Sequence, residues 1–173
     1  MKIRKGFVSN SSSSSFLIML DKKPKSIEET KKLFFGDKEF YEDPYYDCNS
    51  SYFNKRSEKY KADMVAEIVF NDLKNQKPMN KKQISEELDY GWIDGGPEYD
   101  SYFPVGEKHE KETWERYHKD MAAYLDKIAE EMLLEAGDKE IFCLGYSDDT
   151  ELGCAMEHGT LFDNIPTYRI SKH

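Results

Sequence analysis

Residues 1–20 read MKIRKGFVSNSSSSSFLIML, and the parsing of this stretch decides the fold. Five consecutive serines, Ser11–Ser15, separate two segments of strand character. In Lys2–Val8, Ile3 and Phe7 fall on one face at period-two spacing, whereas Phe16–Leu20 is apolar at every position. A continuous apolar run of this length suits a central strand buried on both sides. The stretch therefore predicts a β-hairpin, with Lys2–Val8 and Phe16–Leu20 joined by an ordered loop at Ser9–Ser15. Serine hydroxyls hydrogen-bond to their neighbours in such turns.

Three other roles for the serines are weaker. A nucleotide P-loop needs glycines and a lysine before a helix, so that backbone amides and the helix dipole meet the phosphate. This run contains neither residue, and a strand follows it. Hydroxyls of Ser11, Ser12, Ser13, Ser14 and Ser15 beside Arg4 and Lys5 could still hold an anion, and exposed serines are open to phosphorylation. A flexible linker does not fit a segment anchored by strands at both ends.

Beyond the hairpin, Ser26 with Glu29 forms a capping box and Gly36 a stop, which predicts a helix over 27–35. A stripe of Tyr60, Met64, Val65, Ile68, Val69 and Leu73 predicts a second over 57–75. Asn80 with Gln83 starts a third over 81–89. The longest, about 110–136, carries Trp114, Tyr117, Met121, Tyr124, Leu125, Ile128, Met132 and Leu133 at i, i+3, i+4 spacing, and Gly137 closes it. Strands are expected at 140–146, 152–158 and 165–171. Strands at both ends with about four helices between them make an α+β domain, a mostly antiparallel sheet with the helices on one face. Residues 1–173 are read as one domain, with irregular aromatic and acidic insertions at 35–57 and 89–109.

Composition limits the function. The 173 residues carry a net charge of −9, yet residues 1–35 hold eight Lys/Arg against three Asp/Glu and the remainder 17 against 31. Seven acids and no base lie between Lys82 and Lys108; six acids and no base lie between Lys139 and Arg169. An acidic body disfavours direct nucleic-acid binding, which rests on Lys/Arg contacts to phosphate. It favours solubility and steers basic partners. The longest early apolar run, FLIML, is too short for a signal-peptide core of roughly 7–15 residues or a span of about 20. Cys48, Cys143 and Cys154 form no C-x-x-C pair, as expected of ordinary thiols in a reducing cytoplasm.

A second constellation lies near the C-terminus. Asp148, Asp149, Glu151, Glu157, His158 and His173 fall within 26 residues. Carboxylates and imidazoles together suit a divalent metal or general acid–base work, with Asp148, Asp149, Glu157 and His158 as the candidate metal ligands. Adjacent residues on a strand point to opposite faces, so Glu157 and His158 share a site only at a turn or bulge. The competing reading is a tight hairpin at Ser147–Thr150 with solvated acids. The sequence specifies no cofactor, catalytic residue or oligomeric state.

The segments KIRKGFVSNSSSSSF and KPKSIEETKKLFFGD, with YSDD, EHG and RISKH near the end, resemble a family of small uncharacterised proteins encoded mostly by tailed bacteriophages and their hosts. The resemblance implies a phage-type accessory protein in the bacterial cytoplasm. It also places Ser11–Ser15, Glu157, His158 and His173 together around the terminal strands. Two functions are expected from these readings. One is an acidic, aromatic-rich module that binds a host or defence protein. The other is a metal- or phosphate-binding enzyme that uses the serine loop with Glu157, His158 and His173.

Overall fold

β1, Ser13–Leu20, is the centre of the structure, with antiparallel partners on both edges. β4, Glu140–Ser147, pairs along its whole length, from Ser13↔Ser147 to Leu20↔Glu140. β5, Thr167–Lys172, covers the other edge from Ser13↔Lys172 to Ile18↔Thr167. The computed structural model describes residues 13–41, 60–89, 96–104, 110–147 and 150–172, apart from the side chains of Glu151 and His158. The chain is α+β, with an antiparallel sheet built from its N- and C-terminal regions.

The parsing of the serines changes in one respect. Ser13, Ser14 and Ser15 belong to the strand and not to a loop, because β4 and β5 supply backbone partners to each of them. Paired neighbours override the weak strand preference of serine. β4 and β5 occupy the two edges of β1 over Ser13–Ile18. Lys2–Val8 itself lies outside the described residues.

Successive side chains of a strand point to opposite faces, and both faces of β1 are apolar. Phe16, Ile18 and Leu20 enter a core with α1 (Ile27–Phe35), α2 (Ala62–Leu73) and α6 (Glu151–His158). Leu17 and Met19 enter a second core with α3 (Lys81–Asp89) and α5 (Lys111–Ala136). The helices thus lie on both faces of the sheet, not on one, since each apolar face needs its own cover.

Local chemistry explains the helix ends. At α1 the Ser26 hydroxyl accepts from the Glu29 amide at 3.2 Å, while the Glu29 carboxylate accepts from the Lys25 amide at 2.7 Å. Asn80 and Gln83 form a reciprocal capping box at α3, at 3.1 and 3.0 Å. Gly36 and Gly137 end α1 and α5 with φ near +60°, which residues bearing a Cβ adopt only with strain. α2 is shorter than its apolar stripe suggests: Tyr60–Lys61 forms a two-residue strand, β3, against β2, Phe40–Tyr41. Met64 is accordingly exposed, whereas Val65, Val69 and Leu73 are buried. Inside the second insertion, Tyr99–Tyr102 forms a short helix, α4.

The expected strand at 152–158 is instead α6. The Thr150 hydroxyl caps it by accepting from the Gly153 amide at 2.9 Å. Leu152, Ala155 and Met156 share one helical face toward the first core, a spacing that period-two reading obscures. Gly153 permits the tight entry, since a Cβ there would collide with the Ser147 carbonyl oxygen. The outer edge of β4 is also covered. The Met79 amide donates to the Ile141 carbonyl and Gln76 Nε2 to the Cys143 carbonyl, each at 2.8 Å. Capping an exposed edge in this way blocks pairing with another chain.

Candidate functional site

Cross-strand register sets the site on the first face of the sheet. Arg169 of β5 lies opposite Phe16 of β1 and therefore shares a face with Phe16 and Ser14. α6 brings Glu157 down onto the same spot. Ser14 Oγ donates to Glu157 Oε1 at 2.8 Å and accepts from Arg169 Nε at 3.0 Å. Arg169 Nη2 stands 3.4 Å from the same carboxylate oxygen, and its guanidinium lies 5.7 Å over the Phe16 ring. The Glu157 side chain is completely buried, whereas that of Arg169 is 40% exposed. An ionised carboxylate so deep needs both a cation and hydrogen-bond donors, and Ser14 and Arg169 supply them.

This arrangement brings together two expected site residues, Ser14 and Glu157, and adds Arg169. Ser14 is 1% exposed with its proton directed at the carboxylate, so its hydroxyl is engaged inside the protein. Its chemistry is to join β1, β5 and α6. Ser11, Ser12, Asp148, Asp149 and His173 lie outside the described residues. The backbone of His158 ends α6.

Ser15 points to the opposite face and into a different polar cluster. There Lys172 of β5 donates to Glu87 of α3. Burial works against the Glu87 carboxylate, but hydrogen bonds from Lys172 and Ser15, with the Lys172 charge, hold its pKa below the ordinary value. Next to it, burial and the Glu87 charge push the Cys143 thiol up to about 11. That thiol stays protonated and is no nucleophile. The sheet therefore carries an ion pair on each face of β5, Arg169–Glu157 and Lys172–Glu87.

Sequence reading missed Arg169, Glu87 and Lys172, because pairs so distant in the chain appear only once the register is known. In the strand segment TYRISK, alternation alone marks Arg169 and Lys172 as facing opposite ways.

No family model, curated protein or solved structure matches this chain. Among the described residues, no group of three or more His, Cys, Asp or Glu is placed to hold a metal ion. No helix among them is long and apolar enough to cross a membrane.

Two surface features remain. A cleft of about 400 Å³ is lined by Met79, Gln83, Glu86, Glu87 and Asp89, on and beside the C-terminal part of α3. At the start of α5 an aromatic cluster forms against α4. Phe103 is its buried floor, 4.5 Å from the Tyr99 ring and 4.2 Å from the Trp114 ring. Tyr99 and Trp114 are 46% and 37% exposed. Tyr117 packs on Phe103 at 5.5 Å, and His118 stacks on Trp114 at 5.8 Å.

Proposed function

We propose that this chain is an accessory protein of the tailed-phage type that acts in the host cytoplasm, where its acidic body binds a basic host or defence protein. One observation carries the reading. The exposed acids of α3 and α5 stand where helix physics disfavours them. The C-terminal end of a helix carries partial negative charge, and a carboxylate there costs about 0.3–1 kcal/mol. Yet α3 opens with Lys81 and Lys82 and ends with Glu86, Glu87 and Asp89; α5 has Glu135 in its last turn; neither has a basic residue in its last turn. Glu87 is compensated by Lys172, and Glu86 has a surface pair with Lys82 at 3.6 Å, which is worth little in solvent; Asp89 and Glu135 are exposed. Charge held against the local stability optimum is typical of surfaces used for something other than folding. The α3 cleft gives that charge a concave place for a basic side chain.

The enzyme reading draws less support. The hydroxyls of Ser14 and Ser15 are buried and engaged within the protein.

The test is a pull-down from bacterial host lysate at low and high salt, with mass spectrometric identification and stoichiometry. The expected result is a basic protein retained at low salt, released as salt rises, and lost with the Glu86→Lys/Asp89→Lys variant. Recovery of the bait alone at low salt, or capture indifferent to both salt and the variant, refutes the reading.

A further inference from the structure

We infer that the notch between Tyr99 and Trp114 is the anchor for an arginine-rich segment of a partner protein. The inference rests on the reading above only in taking the partner to be basic. A tryptophan or tyrosine face attracts a guanidinium through the ring quadrupole, and the planar guanidinium also stacks on rings and forks onto carboxylates. Both components surround this notch. Its floor is the buried Phe103, and its walls are the partly exposed rings of Tyr99 and Trp114, whose centroids lie 6.0 Å apart with their planes at 62°.

Acidic residues neighbour it along the chain. Glu98 and Asp100 flank Tyr99 in the chain, and Glu110 lies one turn before Trp114, whose amide donates to its carbonyl. Across residues 96–104 and 110–120 there are six Asp/Glu against three Lys/Arg. Two of those cations already have partners: Lys111 pairs with Glu115 at 3.4 Å, and Arg116 lies over Tyr102. The Arg116 contact shows the recognition geometry within the molecule. Its guanidinium sits 5.1 Å over the Tyr102 ring, whose hydroxyl donates to Asp120 at 2.7 Å. Tyr99 and Trp114 offer the same kind of ring in an acidic setting, each packed on Phe103 and still partly exposed. Exposed aromatics over a packed floor are also the usual composition of binding hot spots.

Fluorescein-labelled nona-arginine, nona-lysine and nona-citrulline peptides, followed by anisotropy, test the inference on the full chain. Nona-arginine should bind more tightly than nona-lysine, and nona-citrulline, which keeps the shape without the charge, should not bind. Trp114→Leu and Tyr99→Leu keep apolar bulk but remove the ring face, and each should weaken nona-arginine binding roughly three- to tenfold. Trp114→Phe and Tyr99→Phe should restore most of it, which separates ring recognition from a folding defect. Glu86→Lys/Asp89→Lys, away from the notch, tests the acidic body by itself. Wild-type binding by both leucine variants, or equal binding of arginine and lysine peptides, overturns the notch. If peptide affinity then still falls in the α3 variant, the acidic-module reading stands without it.

Discussion

At the scale of single residues, the decisive group is Glu157, a carboxylate with no exposed side-chain surface that shares one oxygen between Ser14 and Arg169. Removing one donor from a buried acceptor costs about 1–3 kcal/mol, so Ser14→Ala should lower unfolding free energy by that order. Ser14 also accepts from Arg169, and the two substitutions should not add. A double-mutant cycle with Arg169→Ala, read by urea unfolding, should return a coupling of about 0.5–3 kcal/mol. Strict additivity would mean that the three groups do not act as a unit. Gly159 is a second sensitive position. A Cβ there would run into the Tyr41 hydroxyl oxygen and the Ala155 carbonyl oxygen, which are hydrogen-bonded to each other. Gly159→Ala should cost at least the ~1–3 kcal/mol of overpacking. Tyr41→Phe should relieve it only in part, because the carbonyl stays in place. A Gly159→Ala protein as stable as wild type in the same unfolding experiment would contradict the packing described here.

At the scale of elements, the reversed charge order of α3 makes two measurements move in opposite directions. Asp89→Lys places a cation at the negative end of the helix and should raise stability by about 0.3–1 kcal/mol at low salt. Glu86→Lys should gain less, because it also replaces the i,i+4 pair with Lys82 by a like-charge pair. The same changes should weaken partner capture. A thermal melt that falls for both variants would show that these acids serve folding. The elements were unequally legible in the sequence, for physical reasons. Helices α1, α3 and α5 fall within a residue or so of expectation because apolar periodicity agrees with capping residues at α1 and α3 and with stop glycines at α1 and α5. β4 and β5 were also readable, as short apolar or alternating runs. α6 was not: in ELGCAMEH, two or three apolar residues fit either period, and the Thr150 cap decides the outcome. The α5 stripe serves two different partners. Trp114 and Tyr117 continue its periodicity but meet α4 rather than the sheet. Ser13–Ser15 became strand through tertiary pairing, and no local signal specifies the acid that Ser14 meets, 143 positions away.

For the whole molecule, two carboxylates with opposite shifts shape the response to acid. Glu87 has a folded pKa below its ordinary 4.5. Its contribution is therefore complete above that value and disappears as pH falls through the lower folded value. Asp72 is shifted the other way, raised by burial against the countering hydrogen bond from Tyr146. Its ionised form is a burden at neutral pH that protonation lifts as pH falls. Urea midpoints measured across the acid range should show Glu87→Gln losing less stability on acidification than wild type. Asp72→Asn should be more stable than wild type at neutral pH, with the difference vanishing in acid. The reverse pattern in either variant would contradict the assigned environments. The position of β1 has a consequence for how the chain is made. Both of its partners come from beyond residue 139, so a ribosome releases FLIML long before anything exists to pair with it. High contact order of this kind slows folding and leaves apolar strands exposed meanwhile. The nascent chain carries this apolar strand without β4 or β5 for most of its synthesis, and a truncation before β4 leaves it without either partner.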